Sequence, residues 1–102
     1  MDRVAMLKDI LEQSPDDAFA RYGLALEYAN TGQTEDAMRE FKIIMERTPD
    51  YVPAYQMGAQ TLMTAGRGDE ARTLLETGIA CATRLGNSHA RSEMEMMLQD
   101  LD

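Results

Sequence analysis

The chain has 102 residues, 44% of them hydrophobic and 27% charged, a mixture that bounds it to one folded domain, residues 1–102. Its formal charge of −8, from 18 acidic and 10 basic residues with no Lys/Arg cluster, argues against nucleic acid and anionic membranes as partners. Cys81 is the only cysteine, so no internal disulfide can form; Asp2, Arg3 and Lys8 stand where a signal peptide needs an apolar run, and no stretch approaches the ~20 apolar residues of a membrane span. A cytoplasmic location is expected.

Residues 1–17 predict one helix whose apolar face is Leu7, Ile10 and Leu11, with Asp2, Lys8, Asp9 and Glu12 offered to water. In 18–51, Leu24, Ala25 and Tyr28 form the apolar face of a first helix. Gly32 supplies the left-handed residue that ends it. Thr34 is the predicted cap of a second helix, with Glu35 and Asp36 in its favourable first turn. That helix buries Ala37, Phe41, Ile44 and Met45 and stops at Pro49. In 52–85, Leu62 lies on the first helix, Gly66 in the turn and Asp69 at the predicted cap. Ala71, Leu74, Leu75, Gly78, Ile79 and Ala82 line the second helix. In 86–102, Gly86-Asn87-Ser88 stops one helix and starts another, with an apolar stripe of Ala90, Met94, Met97, Leu98 and Leu101. Six helices in antiparallel pairs result.

These segments repeat. Shifted by 34 residues, Ala20 meets Ala54, Ala25 meets Ala59, Gly32 meets Gly66, Ala37 meets Ala71, and Pro15 meets Pro49. Tyr28 meets Leu62, Phe41 meets Leu75, and Glu35-Asp36 meets Asp69-Glu70. Small residues at 25, 37, 59 and 71 suit close helix crossings. The last stripe falls about two residues late in this register, and Glu93 occupies the place of Ala25 and Ala59, so no further repeat is expected after it.

The spacing Leu24-Ala25-x2-Tyr28, Ala37-x3-Phe41 and Pro49, followed by Gly58-Ala59-x2-Leu62 and Ala71-x3-Leu75, resembles the tetratricopeptide repeat. Arg21, Gly58 and Thr83 depart from it, where the family has a large aromatic, Leu and Pro. The resemblance implies an all-α, right-handed superhelical stack of antiparallel helix pairs, about six helices, in which 1–17 is a half-repeat, 18–51 and 52–85 are full repeats, and 86–102 is a capping helix. Alternatively, the last helix turns its Met-rich face to the groove.

Phe19, Tyr22 and Leu26 occupy i, i+3 and i+7 on the first helix, separate from the stripe that the repeat buries. By resemblance this side lines a concave groove, with Asn30 as its polar member. The matching residues in the second repeat are Pro53, Gln56 and Gln60, with Met63 one turn on. Two readings stand for Phe19 and Tyr22: they grip a peptide or helix of a partner protein, or they cover a terminal helix. The alternative to a partner is a homodimer formed through the same face or the Met-rich last helix. Family members that clamp a carboxylate with groove Lys and Asn are not matched here.

No catalytic, metal or cofactor site is expected. His89 and Cys81 lack an orienting third group and cannot supply four zinc ligands. Met94, Met96 and Met97 at helical spacing read as core filler. The repeated acidic pairs sit at helix starts, where the dipole accounts for them.

Overall fold

The computed structural model describes residues 2–101. It contains six α-helices: α1 (Arg3–Gln13), α2 (Ala18–Asn30), α3 (Thr34–Arg47), α4 (Val52–Thr64), α5 (Gly68–Arg84) and α6 (Ser88–Asp100). No strand occurs among the described residues, and the expected all-α class holds. The helices fall into two compact units, the first ending at Tyr51 and the second beginning at Val52.

The repeat is written most clearly in its turns. Gly32, Gly66 and Gly86 have φ of 75°, 76° and 71°, the left-handed region that a side chain disfavours. At each, the glycine N–H and the next N–H turn back onto the preceding helix. Gln33 donates to Tyr28 O at 2.9 Å and Gly32 to Ala29 O at 3.2 Å; Arg67 donates to Leu62 O at 2.8 Å; Asn87 donates to Ala82 O at 2.8 Å. These bonds satisfy carbonyls that a helix end otherwise leaves exposed.

This geometry corrects two expected caps. Thr34 is the first residue of α3, and the cap position is Gln33, which makes no side-chain cap hydrogen bond. Likewise α5 starts at Gly68 after Arg67, one residue before the expected cap Asp69. The closing residue of one helix is also the opening residue of the next, and Gln and Arg side chains are too long for a local cap. Glu35-Asp36 and Asp69-Glu70 in the first turns offset this through the helix dipole. Asn87 combines both duties, its side chain accepting from Ala90 N–H at 3.1 Å. Asp2 and Asp17 cap α1 and α2 in the same way, accepting from Ala5 and Ala20.

The other helix ends follow from proline. Ser14 and Thr48 have φ, ψ of −137°, 76° and −136°, 70°, outside the helical region that a following Pro disfavours. No Pro stands at 83, and α5 runs three residues past the register of α3. The next connection is one residue shorter than its counterpart, so α6 begins two residues late. It packs on α5 and α4, with Ala90 and Met94 buried.

In the first unit, α1 packs on α2 through Leu7, Leu11, Ala20 and Leu24, flanked by Val4 and Tyr28. α2 pairs with α3 over Ala25, Ala37, Phe41 and Ile44, all essentially inaccessible. Ile10 was expected in this core but is 40% exposed; no helix covers its side of α1 within this unit. In the second unit Ala54, Ala59, Ala71, Leu75 and Ala82 are fully buried. A Cβ added to Gly78 would lie 2.7 Å from both Tyr55 Cβ and Met94 Sδ, so glycine is what lets α4 and α6 approach α5 there.

Arg21, the departure from a large aromatic, has its own partner. Its guanidinium meets Glu40 of α3 at 2.6 Å, with the two side chains only 14% and 11% exposed. It also donates to Pro15 O at 2.9 Å. One repeat later the same positions carry Tyr55, buried, and Leu74, half-buried. A charged pair in one unit replaces an uncharged pair in the other.

Candidate functional site

The Asp17 cap sets the start of α2, and Arg21 ties its next turn to α3 and to the loop before it. Phe19, Tyr22, Leu26 and Asn30 therefore emerge along one side of a helix held at both flanks. Phe19 is 78% exposed. Tyr22 and Leu26 are half-buried and Asn30 is exposed.

Together with Leu7 and Ile10 of α1, residues Phe19, Tyr22, Gly23 and Leu26 line an apolar cleft of about 320 Å³. Asn30 does not line it. Arg3 and Asp17 stand in its walls; Arg3 is ion-paired with Glu27, and the Asp17 carboxylate accepts the α2 cap bond. Ile10 was missed as a site residue because a periodic pattern records which residues are apolar and not which neighbour is lacking. Ile10 stands 34 residues before Ile44, the repeat interval, and that correspondence was the available signal.

Tyr22 also belongs to the core. Its ring sits edge-on to Phe41, centroids 6.2 Å apart at 62°, and tilted against Tyr51 at 5.5 Å and 56°. Burial, and secondarily the neighbouring Tyr51, raises the Tyr22 pKa above that of an ordinary phenol. Burial, and secondarily the Asp17 carboxylate, does the same for Tyr51. Both rings are therefore neutral at physiological pH, with hydroxyls able to donate and accept hydrogen bonds. Tyr22 bridges the apolar face and the fold, and Phe19 is the aromatic that the fold does not use.

On α4, Gln56 and Met63 are half-buried while Pro53 and Gln60 are exposed. Gln60 donates to Thr64 Oγ1 at 3.4 Å, one turn along the same helix. This face is polar and adaptable where that of α2 is aromatic.

A second cleft, about 330 Å³, lies on the opposite side of α1 and holds Lys8, Leu11, Glu12, Leu24 and the Arg21–Glu40 pair. His89 Nε2 meets Glu93 at 3.2 Å on the exposed side of α6, and Cys81 is buried within 3.6 Å of Arg84. Among the described residues no group of three His, Cys, Asp or Glu could hold a metal ion, and no helix is long and apolar enough to cross a membrane.

Three comparisons set this geometry among known proteins. The family model described as tetratricopeptide repeat matches residues 4–58. A tetratricopeptide-repeat-containing protein of Pseudomonas aeruginosa is 30% identical over 96 residues, spanning 94% of this chain and 91% of its own length. Among solved structures, a protein of Bordetella parapertussis superposes with a TM-score of 0.86 at 26% identity, covering 99% of this chain and 88% of that one. A tetratricopeptide-repeat domain protein of Salinibacter ruber gives a TM-score of 0.75 at 28% identity, covering 83% and 94%.

Proposed function

The chain belongs to the tetratricopeptide-repeat family, and from that premise we propose that it is a non-catalytic cytoplasmic interaction module that receives a peptide or helix of a partner protein. The contact residues are those on the faces of α2 (Phe19, Tyr22, Leu26 and Asn30) and α4 (Gln56, Gln60 and Met63), which the family resemblance assigns to the concave groove.

The observation that carries the reading is Phe19, 78% exposed beside an apolar cleft. A phenyl ring left in water forgoes roughly 1.5–3 kcal/mol of burial, which a partner can recover. Aromatic side chains of this kind are typical anchors of binding surfaces. The formal charge of −8 disfavours nucleic acid and anionic lipid as the bound species.

The test is capture of a partner from cytosolic extract on the immobilised chain, followed by titration of the identified partner against Phe19→Ser. Loss of an aromatic anchor is expected to weaken binding by about 2 kcal/mol, roughly thirtyfold. Because Phe19 makes no core contact comparable to Tyr22, the melting curve should not move. Unchanged affinity would refute the α2 face as the site. Homodimerisation is the alternative, favoured by Met96, which is 65% exposed on α6. Sedimentation across concentration separates the two readings.

A further inference from the structure

The repeat register relates α5 to α1 by a shift of two repeats and α6 to α2 by that shift plus the two-residue delay. The pair α5–α6 and the pair α1–α2 are therefore equivalent by position, and each is packed together. In the second unit a further helix, α4, lies against both α5 and α6. The α5 residues on the α4 side are buried: Ala71 and Leu75 completely, and Gly78 so tightly that a Cβ would meet Tyr55 Cβ at 2.7 Å. Their counterparts on α1 are Arg3, Leu7 and Ile10. The same positions on α3, namely Ala37, Phe41 and Ile44, are 0–1% exposed in the first unit. On α1 the cover is partial: Leu7 is buried against α2, but Ile10 is 40% exposed and Met6, the counterpart of half-buried Leu74, is 42% exposed.

The apolar cleft lies at this position, lined by Leu7 and Ile10 from α1 and by Phe19, Tyr22 and Leu26 from α2. Twice within the chain itself, what covers the equivalent surface is a helix of 13 residues, α2 or α4. Its borders are acidic. Asp17 lies in the cleft wall. Asp2 and Asp9 follow Met6 around the surface of α1 at helical spacing. Of the nearby cations, Arg3 is engaged by Glu27 and Lys8 lines the cleft on the opposite side of α1.

We infer that the α1–α2 cleft is a seat for one further helix of repeat type, filled by an amphipathic α-helix of a partner protein whose apolar stripe is bordered by Lys or Arg. The inference rests on the proposed use of the α2 face and narrows its ligand to a helix of stated charge. Ile10, where α5 has glycine, makes this seat shallower than that of α4, so small residues in the incoming stripe fit it best. A second copy of this chain is a poorer occupant, because a like-charged surface opposes it.

The test uses two fluorescein-labelled, lactam-bridged helical peptides carrying the buried stripe of α4 with Ala in place of its Tyr, which would meet Ile10 (Ala, Ala, Gly, Ala and Leu at its spacing). One has Lys and the other Glu at the flanking positions. Fluorescence anisotropy is read on the full chain and on Ile10→Ser, Met6→Ser and Phe19→Ser, each checked for helicity. The Lys peptide is expected to bind at least tenfold more tightly than its Glu twin at low salt, with the gap closing as salt screens the borders. Ile10→Ser and Phe19→Ser should each weaken it about tenfold, and Met6→Ser about threefold. Equal binding of the two peptides overturns the charge assignment. An effect of Phe19→Ser without one of Ile10→Ser and Met6→Ser overturns the seat and leaves the α2 face as the contact; no effect of any overturns both. Dimerisation abolished by Ile10→Ser would make the occupant a second copy and also overturn the inference.

Discussion

Glu40→Leu removes one half of the ion pair that ties α2 to α3. The Glu40 and Arg21 side chains meet at 2.6 Å with 11% and 14% exposure, so the guanidinium left behind is largely out of water. Breaking a buried pair costs about 3–5 kcal/mol because the remaining charge is uncompensated. Arg21 keeps Pro15 O at 2.9 Å, which places the expected loss near the lower end, about 3 kcal/mol. Arg21→Tyr strands Glu40 instead and should cost a similar amount, while Arg47 still reaches Pro15 O at 3.1 Å. The double variant Arg21→Tyr/Glu40→Leu installs the residues of the second repeat at these positions, Tyr55 and Leu74. It removes both charges together and is expected within about 1 kcal/mol of the parent. Urea unfolding followed by circular dichroism measures all four species, and a constant slope against denaturant shows that the unfolded reference is unchanged. The coupling between the sites should exceed about 2 kcal/mol. A double variant as unstable as the sum of the singles would refute the argument, because the pair would then contribute through packing and not through charge.

Three further outcomes follow from geometry already described. Gly78→Ala places a Cβ 2.7 Å from the Cβ of Tyr55, an atom fixed to its backbone; overpacking of about 1–3 kcal/mol should exceed the ~1 kcal/mol gain in helix propensity and lower the melting temperature. Gly32→Ala, Gly66→Ala and Gly86→Ala each add a Cβ with no atom beyond the adjoining residues within 4 Å. The cost is conformational alone, about 1–2 kcal/mol, and thermal melts should give nearly equal values at the three turns. Tyr22 and Tyr51 have pKa values raised above 10.0, so the folded state favours the neutral phenols. Their stabilisation is complete below about pH 10 and declines as pH climbs through the folded values. Melts taken on either side of that range should show the decline, and Tyr51→Phe should show less of it.

The parts of this fold that were legible in advance are those where one residue type does one local job. A glycine ends a helix because only it takes a positive φ cheaply, and Gly32, Gly66 and Gly86 could be placed without coordinates. Alanines at close crossings were legible for the same reason. Thr34 and Asp69 are good capping residues, yet a three-residue connection leaves the cap position to Gln33 and Arg67. Ile10 is the opposite case: its apolarity was visible, but its burial depends on a neighbouring helix that the first unit lacks. The α2 face was legible as a second stripe beside the core stripe. That Tyr22 also packs on Phe41 and Tyr51 was not, since a half-buried ring serves two stripes at once and a periodicity assigns it to one.

The unlike chemistry of the Arg21–Glu40 and Tyr55–Leu74 positions has a consequence for how the chain finds its fold. Two repeats with the same turns and the same alanine crossings invite exchange of partners, α2 closing on α5 or α4 on α3. In the first mispairing Arg21 would face Leu74, and in the second Tyr55 would face Glu40; each leaves a charge in an apolar contact with no counter-ion. That penalty, several kcal/mol on the usual scale for stranded buried charges, is comparable with the whole stability of a small domain. A surface charge could not impose it, because water would screen the error. The ion pair is thus expected to act as an address label between sequence-similar helices, suppressing the scrambled hairpins to which repeat proteins are prone.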